Sequence, residues 1–203
     1  DPVTNLPPVG TPQFWEERYR AKEDGWELGA PAPPLVRILE TDPPPRGRVA
    51  VLGCGRGHDA RAFAARGYDA VGYDFAEDAI VAARSLGLPA VAGGATFEQR
   101  DIFALPRDGS FDLVWEYTCF CAINPARRPE YVEIVKGLLR PGGLFLGLFY
   151  PLRGEPGGPP FPVTKEEIRR LFSEGFRWIS EEDPPDSIER RRGAEWLVRL
   201  VAK

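Results

Sequence analysis

The sequence predicts an α/β fold: one doubly wound sheet of seven mostly parallel strands, with an antiparallel C-terminal strand and helices on both faces. Strand-like and helix-like segments alternate along the middle of the chain, which is the pattern of a parallel sheet. A length of 203 residues is enough for one domain with a substantial core and too short for two ordinary ones. A glycine-rich turn follows the first strand-like segment, where such sheets place their first helix.

The N-terminal part of the chain is predicted to be helical. Thr11 followed by Pro12 is a typical helix start, and the apolar pattern after it continues to about residue 22. A second short helix is predicted over residues 33–40, ahead of three consecutive prolines.

The strands and helices of the predicted sheet follow from runs of apolar residues and their punctuation by glycine and proline. Thr164 and Glu167 have the spacing of a capping box and begin the last predicted helix. We predict strands at residues 48–52, 69–74, 96–101, 111–117 and 144–150, two closing antiparallel strands at 176–180 and 196–201, and helices at 59–66, 76–86, 129–139 and 165–172.

These elements predict a single domain that covers residues 1–203. The Pro-rich segment 1–10 is expected to be flexible, because it has neither helical nor strand periodicity. Residues 11–40 are expected to form a helical cover, and residues 46–203 the core that carries the sheet.

The net charge of −4 and the isoelectric point of about 5.3 argue against nucleic-acid binding, which needs a concentrated basic surface. The one basic cluster, three arginines at residues 190–192, is expected to be a solvated loop. The longest apolar stretch, residues 144–152, is too short to cross a bilayer, and no targeting leader is recognised. The expected partner is therefore a small-molecule substrate; the oligomeric state is not predicted.

Cysteine and histidine are scarce. Three cysteines do not make a full set of disulfides, which favours a reducing, cytoplasmic location. His58 is the single histidine, and we expect it to be structural or exposed at a helix start. Metal sites with several histidines and catalysis that relies on imidazole are difficult to build from this composition, so no metal is expected.

The glycine turn and an acidic residue after it form the strongest motif. Gly53, Gly55 and Gly57 follow the first strand, and Asp74 ends the second strand 21 positions after Gly53. Glycine lets the backbone turn tightly and approach a ligand, and a carboxylate in that place suits the hydroxyl groups of a ribose. The alternative is a turn that only connects strand to helix.

The spacing of the glycines indicates which cofactor binds. A dinucleotide fingerprint would have its third glycine at position 58, which is His58 here. The turn, the apolar fifth strand and the Pro-Gly-Gly turn before it resemble class I S-adenosylmethionine-dependent methyltransferases, which have a Rossmann-like fold. The resemblance implies that Asp74 with Phe75 lies at the ribose and that Asp101 and Ile102 lie against the adenine. Asp101 could instead be a helix cap.

Two further segments narrow the resemblance to the thiopurine and thiol/halide methyltransferases. One is Trp15 to Tyr19 with Trp26 seven residues later, and the other is residues 111–122, Phe-Asp-Leu-Val-Trp-Glu-Tyr-Thr-Cys-Phe-Cys-Ala, which is similar to the plant-type branch. The likeness covers residues 14–201. It implies binding of S-adenosyl-L-methionine, with S-adenosyl-L-homocysteine as product, at Trp15, Tyr19, Trp26, Gly53, Gly55, Asp74, Phe75, Asp101, Ile102 and Tyr117.

The aromatic residues of the N-terminal cover have two interpretations. Aromatic faces attract a positively charged sulfonium, so a lid of Trp15, Tyr19 and Trp26 would bind the cofactor and exclude water. Phe14 is better explained as the buried face of the helix. Tyr19 departs from the family branch, which usually has a second Trp there, and its hydroxyl would alter the pocket.

The resemblance implies methyl transfer to a small soft nucleophile such as a thiol, hydrosulfide, thiocyanate or halide, which needs no histidine. Tyr150, at the end of the fifth strand, is predicted to orient the acceptor, although an ordinary strand-end aromatic is the alternative. Tyr117 and Cys121 are predicted to line the pocket. The loop of residues 152–162 is a candidate substrate lid, with a plain surface loop as the default.

Two other functions remain open at this point. One is a non-catalytic sensor that binds S-adenosylmethionine on the same fold, because binding and catalysis are separable. The other is a nicotinamide-dependent oxidoreductase, which His58 in the glycine position disfavours.

Overall fold

The seven predicted strands pair into one sheet in the computed structural model, which describes residues 7–87 and 93–203. The first six residues of the segment predicted to be flexible lie outside the described residues. The strands are β1 (Arg48–Leu52), β2 (Asp69–Asp74), β3 (Gly94–Gln99), β4 (Phe111–Tyr117), β5 (Leu139–Phe149), β6 (Phe176–Glu182) and β7 (Trp196–Ala202).

The sheet has the strand order β3-β2-β1-β4-β5-β7-β6. The first five strands run parallel, and β7 is antiparallel to both β5 and β6. The order reverses beside β1, so the carboxyl ends of β1 and β4 frame the crevice in which such sheets bind ligands. The predicted fold class is confirmed.

Within the described residues six helices flank the sheet, and most begin within one residue of the predicted start. Thr164 accepts a hydrogen bond on Oγ1 from the Glu167 N–H at 3.1 Å, which is one half of the predicted capping box. The Glu167 carboxylate instead pairs with Arg128 at 2.7 Å. The helices are α1 (Pro12–Ala21), α2 (Pro33–Thr41), α3 (His58–Ala64), α4 (Glu77–Ser85), α5 (Arg128–Leu138) and α6 (Lys165–Phe172).

Several strand boundaries differ from the prediction by one or two residues, and the start of β5 differs by five. β3 ends at Gln99, because Asp101 accepts the Phe103 N–H at 3.0 Å and caps a short 3-10 helix instead of extending the strand. β5 begins at Leu139 rather than at residue 144, because Leu139 already pairs with Phe111 before a bulge. The start of β5 thus depends on a partner distant in sequence, whereas the end of β3 is set by a local cap.

Apolar side chains are buried on both faces of the sheet. Alternate residues of β1 divide between the faces, as the twofold period of a strand requires. Helices α5 and α6 cover one face with an aromatic cluster around Phe145 and Phe172, whose rings stack with centroids 5.0 Å apart. Helices α2 and α3 cover the other face. In the two described ranges, no helix combines the length and the apolar character that a membrane span needs.

Candidate active site

The glycine turn after β1 forms the floor of a cleft at the carboxyl ends of the parallel strands. Gly53 has φ 60°, and a Cβ there would lie 3.0 Å from the Cβ of Cys119. Gly57 has φ 79°, and a Cβ there would lie 2.4 Å from the ring of Phe97. Positive φ and close packing therefore both require glycine, and at Gly57 the neighbour is the protein's own core.

Asp74 ties the end of β2 to this turn. Its Oδ2 accepts the Gly55 N–H and its Oδ1 accepts the Ala76 N–H, both at 2.9 Å. Burial raises the pKa of Asp74, and the backbone hydrogen bonds oppose that rise. The carboxylate is held in a fixed orientation where the cleft begins.

The cavity above the turn, called here the first cleft, has a volume of about 840 Å³ counted to its open mouth. Most of the predicted cofactor-binding residues line it, although they come from separate parts of the chain. They are Trp15, Tyr19, Trp26, Gly53, Asp74, Phe75, Asp101 and Ile102. Asp101 both caps the 3-10 helix and lines the cleft, so its two predicted roles are compatible.

Three aromatic side chains form one wall of the first cleft. Trp26 meets Trp15 and Tyr19 edge to face, with centroids 5.6 and 5.4 Å apart. The hydroxyl of Tyr19 accepts a hydrogen bond from the Trp26 Nε1–H at 3.4 Å, so this departure from the family branch orients Trp26. Phe14 is buried below them, as expected for the core face of α1.

The segment that carries Trp26 is fastened to the glycine turn by ion pairs. Arg56 pairs with Asp24 at 2.6 Å and with Glu27 at 3.2 Å. His58 begins α3 as predicted, and its Nε2 lies 2.8 Å from a Glu27 oxygen. His58 therefore stabilises the lid segment and lies away from Tyr150 and Cys121.

A second cavity adjoins the first cleft and shares Trp15, Trp26, Thr118 and Ala122 with it. Tyr150 and Cys121, both predicted acceptor-side residues, line this second cavity. Pro159 and Pro160 of the candidate lid loop line it as well, and the Phe161 N–H binds the Cys121 carbonyl at 2.7 Å. The loop is thus fastened to the cavity wall.

Arg191 is the functional side chain that sequence reasoning missed. The expectation that residues 190–192 form a solvated loop is wrong for Arg191, which is 2 % exposed, because its guanidinium inserts between two tyrosine rings. Its Cζ lies 4.5 Å from the ring centroid of Tyr150 and 5.3 Å from that of Tyr117. Arg190 and Arg192 are exposed as expected.

Tyr117 lies elsewhere than predicted. Its hydroxyl accepts a hydrogen bond from Arg191 at 2.6 Å and donates one to the buried carboxylate of Glu195. The ring lines neither the first cleft nor the second cavity but a smaller space beside the glycine turn, which Gly55 also lines. Tyr117 bonds Arg191, which lines the second cavity, and Gly55 bonds Asp74, which lines the first cleft.

Arg191 retains bonding capacity within this cavity wall. Its Nη2 donates to the Trp26 carbonyl at 3.2 Å, but its buried Nε has no hydrogen-bond partner among the described residues. Arg18 and Glu23 add charges around the same cavity, where Arg18 is half-buried and Glu23 exposed.

Cys119 and Cys121 act as small wall residues, Cys119 in the first cleft and Cys121 in the second cavity. Burial raises the pKa of Cys121 to about 12 and that of Cys119 well above its usual range, so both remain thiols near neutral pH. Among residues 7–87 and 93–203, no cluster of histidine, cysteine and carboxylate side chains has the arrangement of a metal site.

Known proteins resemble this chain over nearly its whole length. Thiocyanate methyltransferase 1 of Arabidopsis thaliana is 36 % identical over 189 residues, covering 91 % of this chain and 82 % of that protein. Probable thiol methyltransferase 2 of the same plant is 34 % identical, covering 91 % and 83 %. A solved structure of Burkholderia thailandensis 1,6-didemethyltoxoflavin-N1-methyltransferase shares the fold, with a TM-score of 0.73 at 19 % identity over 93 % of this chain and 85 % of that one.

The family model described as thiopurine S-methyltransferase matches residues 10–202. Neither the sensor nor the oxidoreductase alternative is supported by these relatives. The match includes the glycine turn, the aromatic wall and the segment with Arg191. The chain therefore belongs to the thiopurine S-methyltransferase family, and it is an S-adenosylmethionine-dependent methyltransferase.

Proposed function

We propose that this methyltransferase acts on a small soft nucleophile, namely a thiol, hydrosulfide, thiocyanate or halide ion. The buried guanidinium of Arg191 in the wall of the second cavity carries the proposal. A cation in a site from which water is largely excluded attracts an anionic acceptor strongly. The names of the two plant relatives, a thiocyanate and a probable thiol methyltransferase, support the same class of acceptor.

The first cleft suits S-adenosylmethionine in both shape and chemistry. Asp74 presents a fixed carboxylate for the ribose hydroxyls, and Asp101 with Ile102 lies beside it for the adenine. The aromatic wall around Trp26 provides electron-rich ring faces for a positive sulfur. When bound, the cofactor would supply a methyl group on that sulfur. A lone pair of the acceptor would form the new bond to the methyl carbon, and the sulfur would keep the electron pair of the broken carbon–sulfur bond as a neutral thioether.

The residues of the second cavity are proposed to hold and orient the acceptor. Arg191 neutralises an anion, the hydroxyl of Tyr150 orients it, and Cys121 shapes the wall without ionising. Tyr117 acts as a positioning residue, since it holds Arg191 in place through its hydroxyl. An anionic acceptor attacks through a lone pair that is free without prior loss of a proton, so the site needs no general base.

The wall that separates the two cavities explains how catalysis is achieved. Trp26, Thr118 and Ala122 each line both spaces, so an acceptor in the second cavity lies next to a cofactor in the first cleft. Holding the two reactants in line can supply roughly 7–11 kcal/mol of the barrier. Orientation is therefore the main catalytic contribution that we assign to this chain.

A panel of acceptors tests the proposed function. The protein would be incubated with S-adenosylmethionine and, separately, iodide, hydrosulfide, thiocyanate, a small thiol and a mercaptopurine. Methylated products and S-adenosylhomocysteine would be quantified by mass spectrometry. We expect turnover with one or more of the anionic acceptors. Methyl products from none of the five would refute the proposed acceptor class.

Variants of the arginine cluster test the role of Arg191. Arg191→Lys retains the charge but loses the planar fork that joins Tyr117 to Trp26. We expect KM for the acceptor to rise about tenfold, with S-adenosylhomocysteine affinity changed much less. Arg190→Lys and Arg192→Lys are matched controls on exposed neighbours. Equal effects from all three substitutions would contradict the assignment.

A further inference from the structure

One buried carboxylate, that of Glu116, has a place in the site that the proposed mechanism does not yet use. Glu116 is the second-last residue of β4 and is 1 % exposed. Its neighbours in the strand, Trp115 and Tyr117, are also buried. Burying a carboxylate is costly, so its hydrogen-bond partners indicate what it stabilises.

The partners of Glu116 belong to the turn that follows β4. Its Oε1 accepts the Phe120 N–H at 2.8 Å and the Cys119 N–H at 3.1 Å. Its Oε2 accepts the hydroxyl of Tyr131, a fully buried residue of α5. A single carboxylate thus connects the turn after β4 to the helix beneath it.

This turn forms the wall between the two cavities. Thr118 has φ 63°, a left-handed conformation that a β-branched residue adopts only under strain. Thr118 lines both the first cleft and the second cavity, whereas Cys119 faces the first and Cys121 the second. The strain must be balanced by the contacts that hold the turn, and the two bonds to Glu116 are among them.

We infer that Glu116 is a positioning residue for methyl transfer, because its carboxylate fixes the turn of residues 118–121 and so sets the wall between cofactor and acceptor. For the acceptor side this inference rests on the proposed function, and for the cofactor side it does not. Glu116 contacts neither cavity directly.

The ionisation of Glu116 makes the inference measurable. Burial raises its pKa to about 7, with the Tyr131 hydroxyl and the two N–H groups opposing the rise. The titratable groups that face it are Tyr131, Cys119 and Cys121, whose own pKa values are raised, so they stay neutral in this range. An ionised carboxylate accepts N–H bonds about twice as strongly as a neutral acid, so the turn is held more firmly above pH 7.

The test uses an acceptor that does not titrate. With thiocyanate or iodide, kcat/KM of the unmodified protein should rise with pH through a limb near pH 7. In Glu116→Gln the limb should disappear, and kcat/KM above pH 7 should fall about tenfold because the reactants are less well aligned. A limb that persists unchanged in Glu116→Gln would overturn the inference.

Two further variants separate positioning from a general loss of structure. Tyr131→Phe removes one donor to the carboxylate, so the limb should move to higher pH instead of disappearing. Asp112→Asn removes a carboxylate from the opposite end of β4, where it pairs with Arg140, and should leave the limb in place. If Tyr131→Phe lowers the rate without moving the limb, Glu116 has a structural role only and the inference fails.

Cofactor binding distinguishes this inference from the proposed function. Thr118 and Cys119 line the first cleft, so S-adenosylhomocysteine affinity, measured by calorimetry, should depend on pH near 7 and lose that dependence in Glu116→Gln. This measurement needs no acceptor. If no acceptor is methylated, the proposed function fails while the calorimetry still decides the role of Glu116: the same pH dependence in both proteins refutes it, and its loss in the variant supports it.

Discussion

The first cleft and the second cavity share a wall but are built from different chemistry. The first cleft lies over the ends of parallel strands, and its polar anchors, Asp74 and Asp101, are held by backbone N–H groups of the segments that follow those strands. The second cavity has a buried cation, Arg191, and draws its wall from α1, the turn after β4, the end of β5 and the segment before β7. In our proposal, a nucleoside is bound by geometry common to this fold, whereas the acceptor is bound by side chains that loops and strand ends supply.

The difference teaches where variation is expected in such an enzyme. Substitutions near Asp74 alter the hydrogen bonds between its carboxylate and backbone N–H groups, and one of these bonds also closes the glycine turn. Changes around Tyr150 or Arg191 alter side chains that loops position, which can be replaced without rebuilding the sheet. Acceptor range should therefore vary more readily than cofactor identity.

Ionisation of Glu116, the buried acid that holds the wall between the two cavities, should give the largest of the expected effects. The pKa of Glu116 is about 7 in the folded chain, against 4.5 for an unperturbed glutamate side chain, so the folded state holds the proton more tightly. The free energy of unfolding should then fall by about 3 kcal/mol as pH rises from about 4.5 to 7, and level off above. Urea unfolding at several pH values would measure it. Glu116→Gln should lack this contribution, and an identical pH slope in that variant would contradict the prediction.

A variant of the first cleft should separate the two regions. Asp74→Ala removes the proposed ribose acceptor and leaves the Gly55 and Ala76 N–H groups without their partner. We expect S-adenosylhomocysteine to bind about 100-fold more weakly by calorimetry, since a hydrogen bond to a charged group contributes roughly 1.5–3 kcal/mol. Asp69→Ala, at the exposed start of the same strand, is the control. If Asp74→Ala keeps its full affinity for S-adenosylhomocysteine, Asp74 does not bind the nucleoside.

A variant of the second cavity should impair turnover and leave cofactor binding unchanged. Tyr150→Phe removes only the hydroxyl, so kcat should fall about tenfold through poorer orientation while cofactor affinity stays unchanged. Steady-state kinetics with thiocyanate together with calorimetry would test this. An unchanged kcat would show that the hydroxyl of Tyr150 has no role in orienting the acceptor and that its ring only packs on Arg191.

The sheet could largely be predicted from the sequence because its strands are short apolar runs with clear ends. The bounds of β1, β2 and β4 match the prediction, since glycines flank β1, aspartates form both ends of β2, and an Asp-Gly-Ser turn precedes β4. β5 could not be bounded in this way. Its first residue, Leu139, is in the strand only because Phe111 pairs with it, and pairing is not visible in one segment.

The candidate site likewise contains residues that could be predicted from the sequence and residues that could not. Gly53 and Asp74 were predicted because motif spacing reports the ends of two adjacent strands. Arg191 and Glu195 were missed because a charged residue near a loop gives no sign of burial, which here depends on Tyr117, distant in sequence. Glu116 did leave a signal, as the last of only two charged residues in the otherwise apolar strand 111–117.

The position of β7 has a consequence for how the enzyme is made. β7 follows β6 in sequence but lies between β5 and β6, so β6 cannot join the sheet until residues 196–202 have been synthesised. Glu195 directly precedes β7 and bonds the tyrosine that holds Arg191. During translation the first cleft can thus assemble first, and the second cavity is completed only when β7 inserts.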